Sequence, residues 1–468
     1  GEGAALIPVL TPAEMAEVDR AAPEPVEVLV RRAAGAVARA AVGIMGGTYG
    51  RRVVVVAGPG NNGADGRVAA ELLARRGVRV RVFDVGEAPE VLPGADLVID
   101  AAFGTGFRGE YHAPSPGGAP VLAVDIPSGI HGLTGVRSGD PLHAVATVTF
   151  AALKPGLLLG SGPEHAGRVV LADIGLDVSH ATTHLVEPSD VAAWVPERAH
   201  DAHKWRHAVR VVAGSAGMSG AAHLCCAAAL RGGAGYVQLC APGDPAPARR
   251  DDHPPPVEVV SHEVPAEWSG EVVGGSGRFA AVVIGPGLGR DEATVREVRA
   301  AAAGTPRPLV LDGDGLWALG QDAPFLLRDR PAPTVLTPHD GELARLTGHR
   351  PGDDRVGAAR ELAAACRSVV LLKGPTTVVA DPGGAALLVR SGDQRLATAG
   401  TGDVLSGLVA AHLALGADPL HATAAAAELH GAAALLGDPR GLVASDLPEL
   451  VLRARAGFER AGGRGEPA

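Results

Sequence analysis

Two α/β domains, each a parallel sheet wrapped by helices, are the fold class that this sequence predicts, on three observations. Its 468 residues exceed what one hydrophobic core usually organises. Runs rich in β-branched residues alternate with helical segments, the pattern of parallel strands joined by crossover helices. That alternation lapses once, around EPSDVAAWVPERAHDAHKW, and then begins again, which places domains at 1–196 and 197–468.

The elements follow in order. LTPAEMAEVDRAA and EVLVRRAAGAVARAAVGI read as two opening helices, the first capped by Thr11 with Pro12 in its first turn and Glu14 three residues on. Strands are predicted at RRVVVVA, RVRVFDV, DLVIDAAF, PVLAVDIP and ATVTFAAL, with RVAAELLARRG a helix after the first. The second series runs AVRVVAG, GYVQLCA, AAVVIGPG, PLVLDGD, TVLTP and SVVLLKG, separated by Ala-rich helices. DPAPARRDDHPPPVEVV reads as a surface loop and GFERAGGRGEPA as a frayed tail.

Composition narrows the function. The chain is 46% hydrophobic and 20% charged, and it lacks an apolar run near the roughly 20 residues of a membrane span. A net charge of -10 without a basic block argues against nucleic acid and for a small-molecule ligand. Cys225, Cys226, Cys240 and Cys366 lack CxxC spacing and read as buried small apolar residues in a reducing compartment. With no signal-peptide pattern, a cytoplasmic location is expected, and a homo-oligomer is the expected assembly. The chain holds three lysines, Lys154, Lys204 and Lys373, and two asparagines, Asn61 and Asn62. Such rarity directs attention to what a compact ammonium or a carboxamide does at those positions.

GPGNNG, Gly58 to Gly63, lies between a strand and a helix, and Asp84 ends the next strand. Alone, this spells a dinucleotide-binding turn and a dehydrogenase. Adjacent carboxamides fit that reading poorly, because a phosphate cradle uses backbone N–H groups. Asp100 before a Gly-Thr-Gly turn, and Asp125 before Pro127, Ser128 and Gly129, end two further strands. The loops at the carboxyl ends of parallel strands converge on one crevice, and Asn, Asp and Ser oxygens there suit a hard cation. As a set, GNNGADG, DAAFGTGF, VDIPSG and TFAALKPG resemble the NAD(P)H-hydrate epimerase family, the YjeF N-terminal domain. The resemblance implies a Rossmann-like three-layer domain. It implies that Asn61, Asn62, Gly63, Ala64 and Asp65, Gly104, Thr105, Gly106, Phe107, Arg108, Gly109 and Glu110, and Asp125 line a hydrated-nicotinamide site. It also implies potassium at Asn62, Asp100 and Ser128, with Asp125 and Lys154 both candidates for the catalytic base. Ala64 stands where the family usually has glycine, which is tolerable unless that backbone needs positive φ.

In the second half, TAGTGDVLSGLVAAHLALG puts a glycine-rich turn before a long helix, whose free N–H groups can hold phosphate. Asp403 sits where it could accept a proton from a hydroxyl attacking that phosphate. LLKGPTTVV offers Lys373 and Thr376 or Thr377 at a strand end, and the P-loop motif GxxxxGK[ST] does not occur. With VVIGPGLGRD, LVLDGDGLWAL, TVLTPHDGEL and HKW, these stretches resemble the ribokinase-like ADP-dependent NAD(P)H-hydrate dehydratase, the YjeF C-terminal domain. The resemblance assigns Lys373, Gly374, Pro375, Thr376, Thr377 and Gly402 to ADP or ATP, with Mg2+ on the nucleotide. It assigns Ala222, Gly287, Gly289, His339 and catalytic Asp403 to the hydrate. Trp205 and Trp317 replace residues usual in the family, and both are expected near the pocket. The implied function is repair of NADHX and NADPHX, by epimerisation at C6 in the first half and ADP-dependent dehydration of the S form in the second. The rivals are a ribokinase-like small-molecule kinase with an accessory ligand-binding domain, and a catalytically silent first half.

Overall fold

A computed structural model describes residues 6–242 and 256–462. The proline-rich loop as far as residue 255, and the tail beyond 462, lie outside the described residues; before that, the predicted tail continues the helix Leu447–Gly462. Two compact units divide between Thr183 and His184, ahead of the expected 196/197 boundary. The reason is local. Val186 N–H donates to Leu388 carbonyl oxygen (2.9 Å), and the helix Pro188–Trp194 packs on Pro419–Leu435, so the stretch where alternation lapses already belongs to the second unit.

In the first unit Thr11 caps the helix Pro12–Ala21 as expected, its hydroxyl accepting from Glu14 N–H while the Glu14 carboxylate accepts from Thr11 N–H (2.7 Å). The sheet orders its strands Arg79–Asp84, Arg52–Ala57, Leu97–Ala101, Val121–Val124, Ala146–Phe150, Arg168–Ala172, all parallel. The last strand escaped the sequence reading. Val53, Val55 and Ala57 face one core beneath the helices Val26–Met45 and Asn61–Ala74, while Val54 and Val56 face another, as the two-residue period of a strand requires. Order reverses between Arg52–Ala57 and Leu97–Ala101, so the crevice for a ligand opens at their carboxyl ends.

The second unit runs Val260–His262, Tyr236–Cys240, Ala208–Val212, Ala281–Ile284, Leu309–Leu311, Thr334–Leu336 and Val369–Leu372 in parallel. Thr377–Ala380 and Ala386–Val389 then turn back antiparallel, a hairpin not anticipated from sequence. Helices Ser219–Gly232 and Thr401–Ala414 pack closely, with Cys225 and Cys226 fully buried between small residues. All four cysteines are free and buried, as expected.

Close approach of those helices depends on Gly407, where an added methyl would run into the Cys225 carbonyl oxygen. Gly407→Ala is expected to destabilise the second unit by about 1–3 kcal/mol, the usual cost of overpacking. Thermal melts of parent and variant check this, and equal midpoints would mean the helices separate freely.

Candidate active sites

The cavity of the first unit, about 510 Å³, opens where the fold reverses strand order. Asn61, Asn62, Asp65, Gly104, Thr105, Gly106, Phe107, Asp125 and Lys154 line it. Gly63 and Ala64 sit in the helix Asn61–Ala74 away from this wall, and Arg108, Gly109 and Glu110 are exposed outside it, which corrects the expected lining. Ala64 does not have positive φ, so its methyl group is unstrained. Met15, Asp19, Leu29, Phe150, Ile174 and Leu176 join the wall unforeseen, because only the folded chain brings the opening helices over the strand ends. The glycines of the turn serve packing: a methyl at Gly58 would strike the Ala102 carbonyl, and one at Gly63 would strike Gly58. Asp84 is ion-paired with Arg67, which also donates to Gly58 carbonyl oxygen (2.8 Å), so the acid that suggested a dinucleotide fingerprint is engaged locally.

Asp125 holds φ 66°, a strained region for a side-chain-bearing residue, at the exit of its strand. Lys154, 2% exposed, places its ammonium 2.7 Å from Asp125 Oδ1 and donates also to Thr149 Oγ1 (2.8 Å) and Phe150 carbonyl oxygen (3.0 Å). Its three donors are thereby used. Asp65 is buried, and its carboxyl is pushed up to about 8 by burial and then by the charges of Asp125 and Asp19. Asn62 Nδ2 is buried without a hydrogen-bond partner, its side chain lying against Gly104. Asp100 and Ser128 meet as expected: the hydroxyl donates to Oδ1 (2.6 Å) and Ser128 N–H to Oδ2 (2.9 Å). Burial raises the Asp100 carboxyl above the ordinary range in spite of these bonds.

In the second unit, Asp312, Thr337 and Lys373 lie at the carboxyl ends of adjoining strands. Lys373 Nζ stands 2.8 Å from Asp312 Oδ1 and 4.0 Å from Glu342 Oε2, while Ser406 Oγ donates to Asp312 Oδ2 (2.7 Å). Burial opposes the charge on both partners, yet the pairing wins: Asp312 is held below and Lys373 above its ordinary range. Gly400, at φ 90°, starts the helix Thr401–Ala414, and its first turn passes so close to Lys373 that a methyl at Gly402 would lie 3.2 Å from Nζ. Asp403 is pushed up to about 7, by burial first and then by Asp312. Asp312, Ser406, Glu342 and Arg355 were missed by sequence reasoning. An aspartate directly after the LVL run was the available signal for the first.

His339 caps the helix Asp340–Thr347, its Nδ1 accepting from Gly341 N–H (3.0 Å) and Glu342 N–H (3.2 Å), while Nε2 stands 3.6 Å from Glu342 Oε1. Gly287 and Gly289 have positive φ; Ser215 donates to Gly287 carbonyl oxygen (2.8 Å), and Gly289 N–H to Asp314 Oδ2 (2.9 Å). Ala222 is buried in its helix beneath Gly214. Arg355 braces the KGPTT loop by donating to Lys373 carbonyl oxygen (2.8 Å) while pairing with Asp340 (2.9 Å). Gly374 and Pro375 are exposed, Thr376 is buried, and Thr377 starts a strand.

The two tryptophans part company. Trp317 lies on the same end of the sheet as Asp312, with the guanidinium carbons of Arg345 and Arg290 at 4.7 and 5.4 Å from its ring centroid. Trp205 precedes the amino end of Ala208–Val212 and packs tilted against Tyr236 (ring centroids 4.2 Å apart), with the Arg278 guanidinium over its ring. It therefore sits at the opposite end of the parallel sheet from Lys373, and Lys204 beside it is not in the site, contrary to expectation.

These arrangements define a two-unit α/β enzyme, with a cavity of apolar wall and a few acidic and amide groups at the switch point of a Rossmann-like sheet, and a glycine-rich turn at a helix start on a ribokinase-like one. A family model described as NAD(P)H-hydrate dehydratase matches residues 209–453. Another, described as YjeF-related protein N-terminus, matches 26–93 and 84–156. The bifunctional NAD(P)H-hydrate repair enzyme of Mycobacterium tuberculosis strain CDC 1551 is 42% identical over 432 residues, covering 86% of this chain and 87% of that protein. That of Thermofilum pendens is 35% identical over 496 residues, covering 92% and 93%. A solved ribokinase-like superfamily protein from Enterococcus faecalis shares the fold at TM-score 0.52 and 20% identity, covering 59% of this chain and 96% of its own. The chain belongs to the family of bifunctional NAD(P)H-hydrate repair enzymes.

A solvated Lys373 would have tolerated arginine, but this ammonium is a largely buried partner of Asp312. Asp312→Ala, which strands the charge, is expected to lower the unfolding free energy by about 3–5 kcal/mol. Urea unfolding measures it; a loss below about 1 kcal/mol would show the pair to be dispensable. Lys373→Arg is expected to lower stability without nucleotide as well, since the larger planar fork does not fit the place of the ammonium beside Asp312.

Proposed function

We propose that this chain repairs hydrated nicotinamide cofactors, with epimerisation at C6 of the R and S hydrates in the unit Ile7–Thr183 and ADP-dependent dehydration of the S hydrate in the unit from His184 onward. The observation that carries the second activity is Asp403, poised near neutrality on the first turn of a glycine-started helix beside the Lys373–Asp312 pair. The carboxylate takes the hydroxyl proton as that oxygen attacks the terminal phosphoryl group of ADP or ATP. Phosphate then leaves, the C5 proton is lost and the 5,6 double bond returns, with AMP the other product when ADP is the donor. Lys373 to Thr377 and Gly402 hold the nucleotide. Gly287, Gly289, His339 and Asp403 face the hydrate, with Ala222 supporting their floor.

Mg2+ is proposed to arrive on the nucleotide, since no group of three His, Cys, Asp or Glu among the described residues could hold a metal by itself. Potassium suits Asn62, Asp100 and Ser128 because Asp100 is a buried acid whose hydrogen bonds come from Ser128 and the Ala102 N–H, all neutral donors. When bound, it would neutralise that charge beside the Gly104–Phe107 turn. A small-molecule role also fits a chain in which, among the described residues, no helix is long and apolar enough to cross a membrane. A cytoplasmic location rests on the four free, buried cysteines, and a homo-oligomer is the proposed assembly, read by light scattering.

Asp403→Asn is expected to cut ADP-dependent dehydration by about 10²- to 10⁴-fold while sparing epimerisation. In the parent, dehydration should rise with pH through about 7, as the base loses its proton. Phosphate release together with recovered NADH absorbance excludes the kinase rival; a released phosphorylated product would establish it. Asn62→Ala or Asp100→Ala should raise the potassium requirement of epimerisation alone. Identical potassium titrations in parent and variants would remove the ion from that site.

A further inference from the structure

Epimerising a carbon that carries a hydroxyl beside a ring nitrogen needs two proton-transfer groups, one for the oxygen and one for the nitrogen. The titratable groups lining the cavity are Asp19, Asp65, Asp125 and Lys154. Lys154 is 2% exposed and its three donors are committed to Asp125, Thr149 and Phe150, so it holds Asp125 in place. Asp19, on the opening helix, is exposed. Asp65 differs from both. It is 7% exposed, on the first turns of the helix Asn61–Ala74, and among the described residues its carboxyl has neither a hydrogen bond nor an ion-pair partner. A carboxyl that buried is ordinarily partnered, so one facing an open cavity is left for the ligand. The neighbouring Asn62 Nδ2, likewise buried and unpartnered, belongs to the same wall.

We propose that Asp65 is the general acid of epimerisation, delivering its proton to ring nitrogen N1 while Asp125 accepts the proton of the C6 hydroxyl. The inference rests on the epimerase reading of this unit. As the C6–N1 bond opens, its electron pair goes to nitrogen and C6 becomes an aldehyde carbon. Rotation about C5–C6 presents the other carbonyl face. N1 then attacks, returning its proton to Asp65, and the oxygen recovers its proton from Asp125. No electrons are gained or lost overall, and both carboxyls end as they began. Burial and the charges of Asp125 and Asp19 facing Asp65, with Lys154 the sole cation on the cavity wall, hold that proton until about pH 8.

The test uses the full chain without ADP, so that dehydration is silent, and follows relaxation of the R to S ratio of the hydrate by chromatography. The parent rate is expected to fall as pH rises through about 8, while Asp65→Asn loses about 10²-fold or more in kcat and, in what remains, the falling limb. Circular dichroism melts confirm that the variant is folded. If Asp65→Asn fails to fold, the parent profile still decides: a rate flat between about pH 7 and 9.5 overturns the assignment. So does a folded variant within threefold of the parent. A parent that fails to epimerise at all would instead defeat the reading of the unit.

Discussion

In each half of this chain a lysine ammonium buried against an aspartate fixes the floor of the site: Lys154 with Asp125, and Lys373 with Asp312. Asp312 could not remain charged at its depth unpaired. The pairing also uses the ammonium, which in Lys154 has no donor left and in Lys373 reaches toward Glu342. Each lysine grows from the end of a parallel strand or the turn after it, so the sheets supply the geometry that brings these charges together.

The parallel sheets explain why this arrangement could be built twice. Strand order reverses in the first unit beside Gly58 and Ala102, opening a cavity whose floor is backbone in close contact. In the second, Gly400 and Gly402 let the helix Thr401–Ala414 begin directly over Lys373. The glycines act through what a side chain would obstruct, which is a packing role at Gly58 and Gly63 and a route of approach at Gly402.

Much of this was legible before the fold was known. The strands that carry the sites are β-branched runs ending in Asp, Gly or Lys, and both asparagines do line the cavity. What was not legible depends on tertiary partners. Lys204 looked like a third site lysine because rarity does not encode which end of a strand a residue precedes. Arg108 to Glu110 adjoin a lining turn in sequence, yet the chain has already left the cavity there. Asp65 read as one more contact, because only the folded cavity shows that no other described residue partners it. The division at 183/184 was hidden because the stretch that joins the second sheet, around Val186, is short and follows no periodicity.

The same electrostatic logic then sets the chemistry. Beside a lysine-paired aspartate, a second buried carboxyl sees low dielectric and a negative neighbour, and both raise its proton affinity. Asp65 beside Asp125 reaches about 8, and Asp403 beside Asp312 about 7. Carboxyls of the same kind are thus separated into a lysine-paired member and one whose proton affinity is raised toward neutral pH, the division of labour that acid–base chemistry requires. In the second unit the exchanging member sits at a helix start suited to phosphate, which would couple the proposed proton transfer to phosphoryl transfer. In the first it faces an open cavity, where the proposed proton transfer would serve rearrangement of the bound ring.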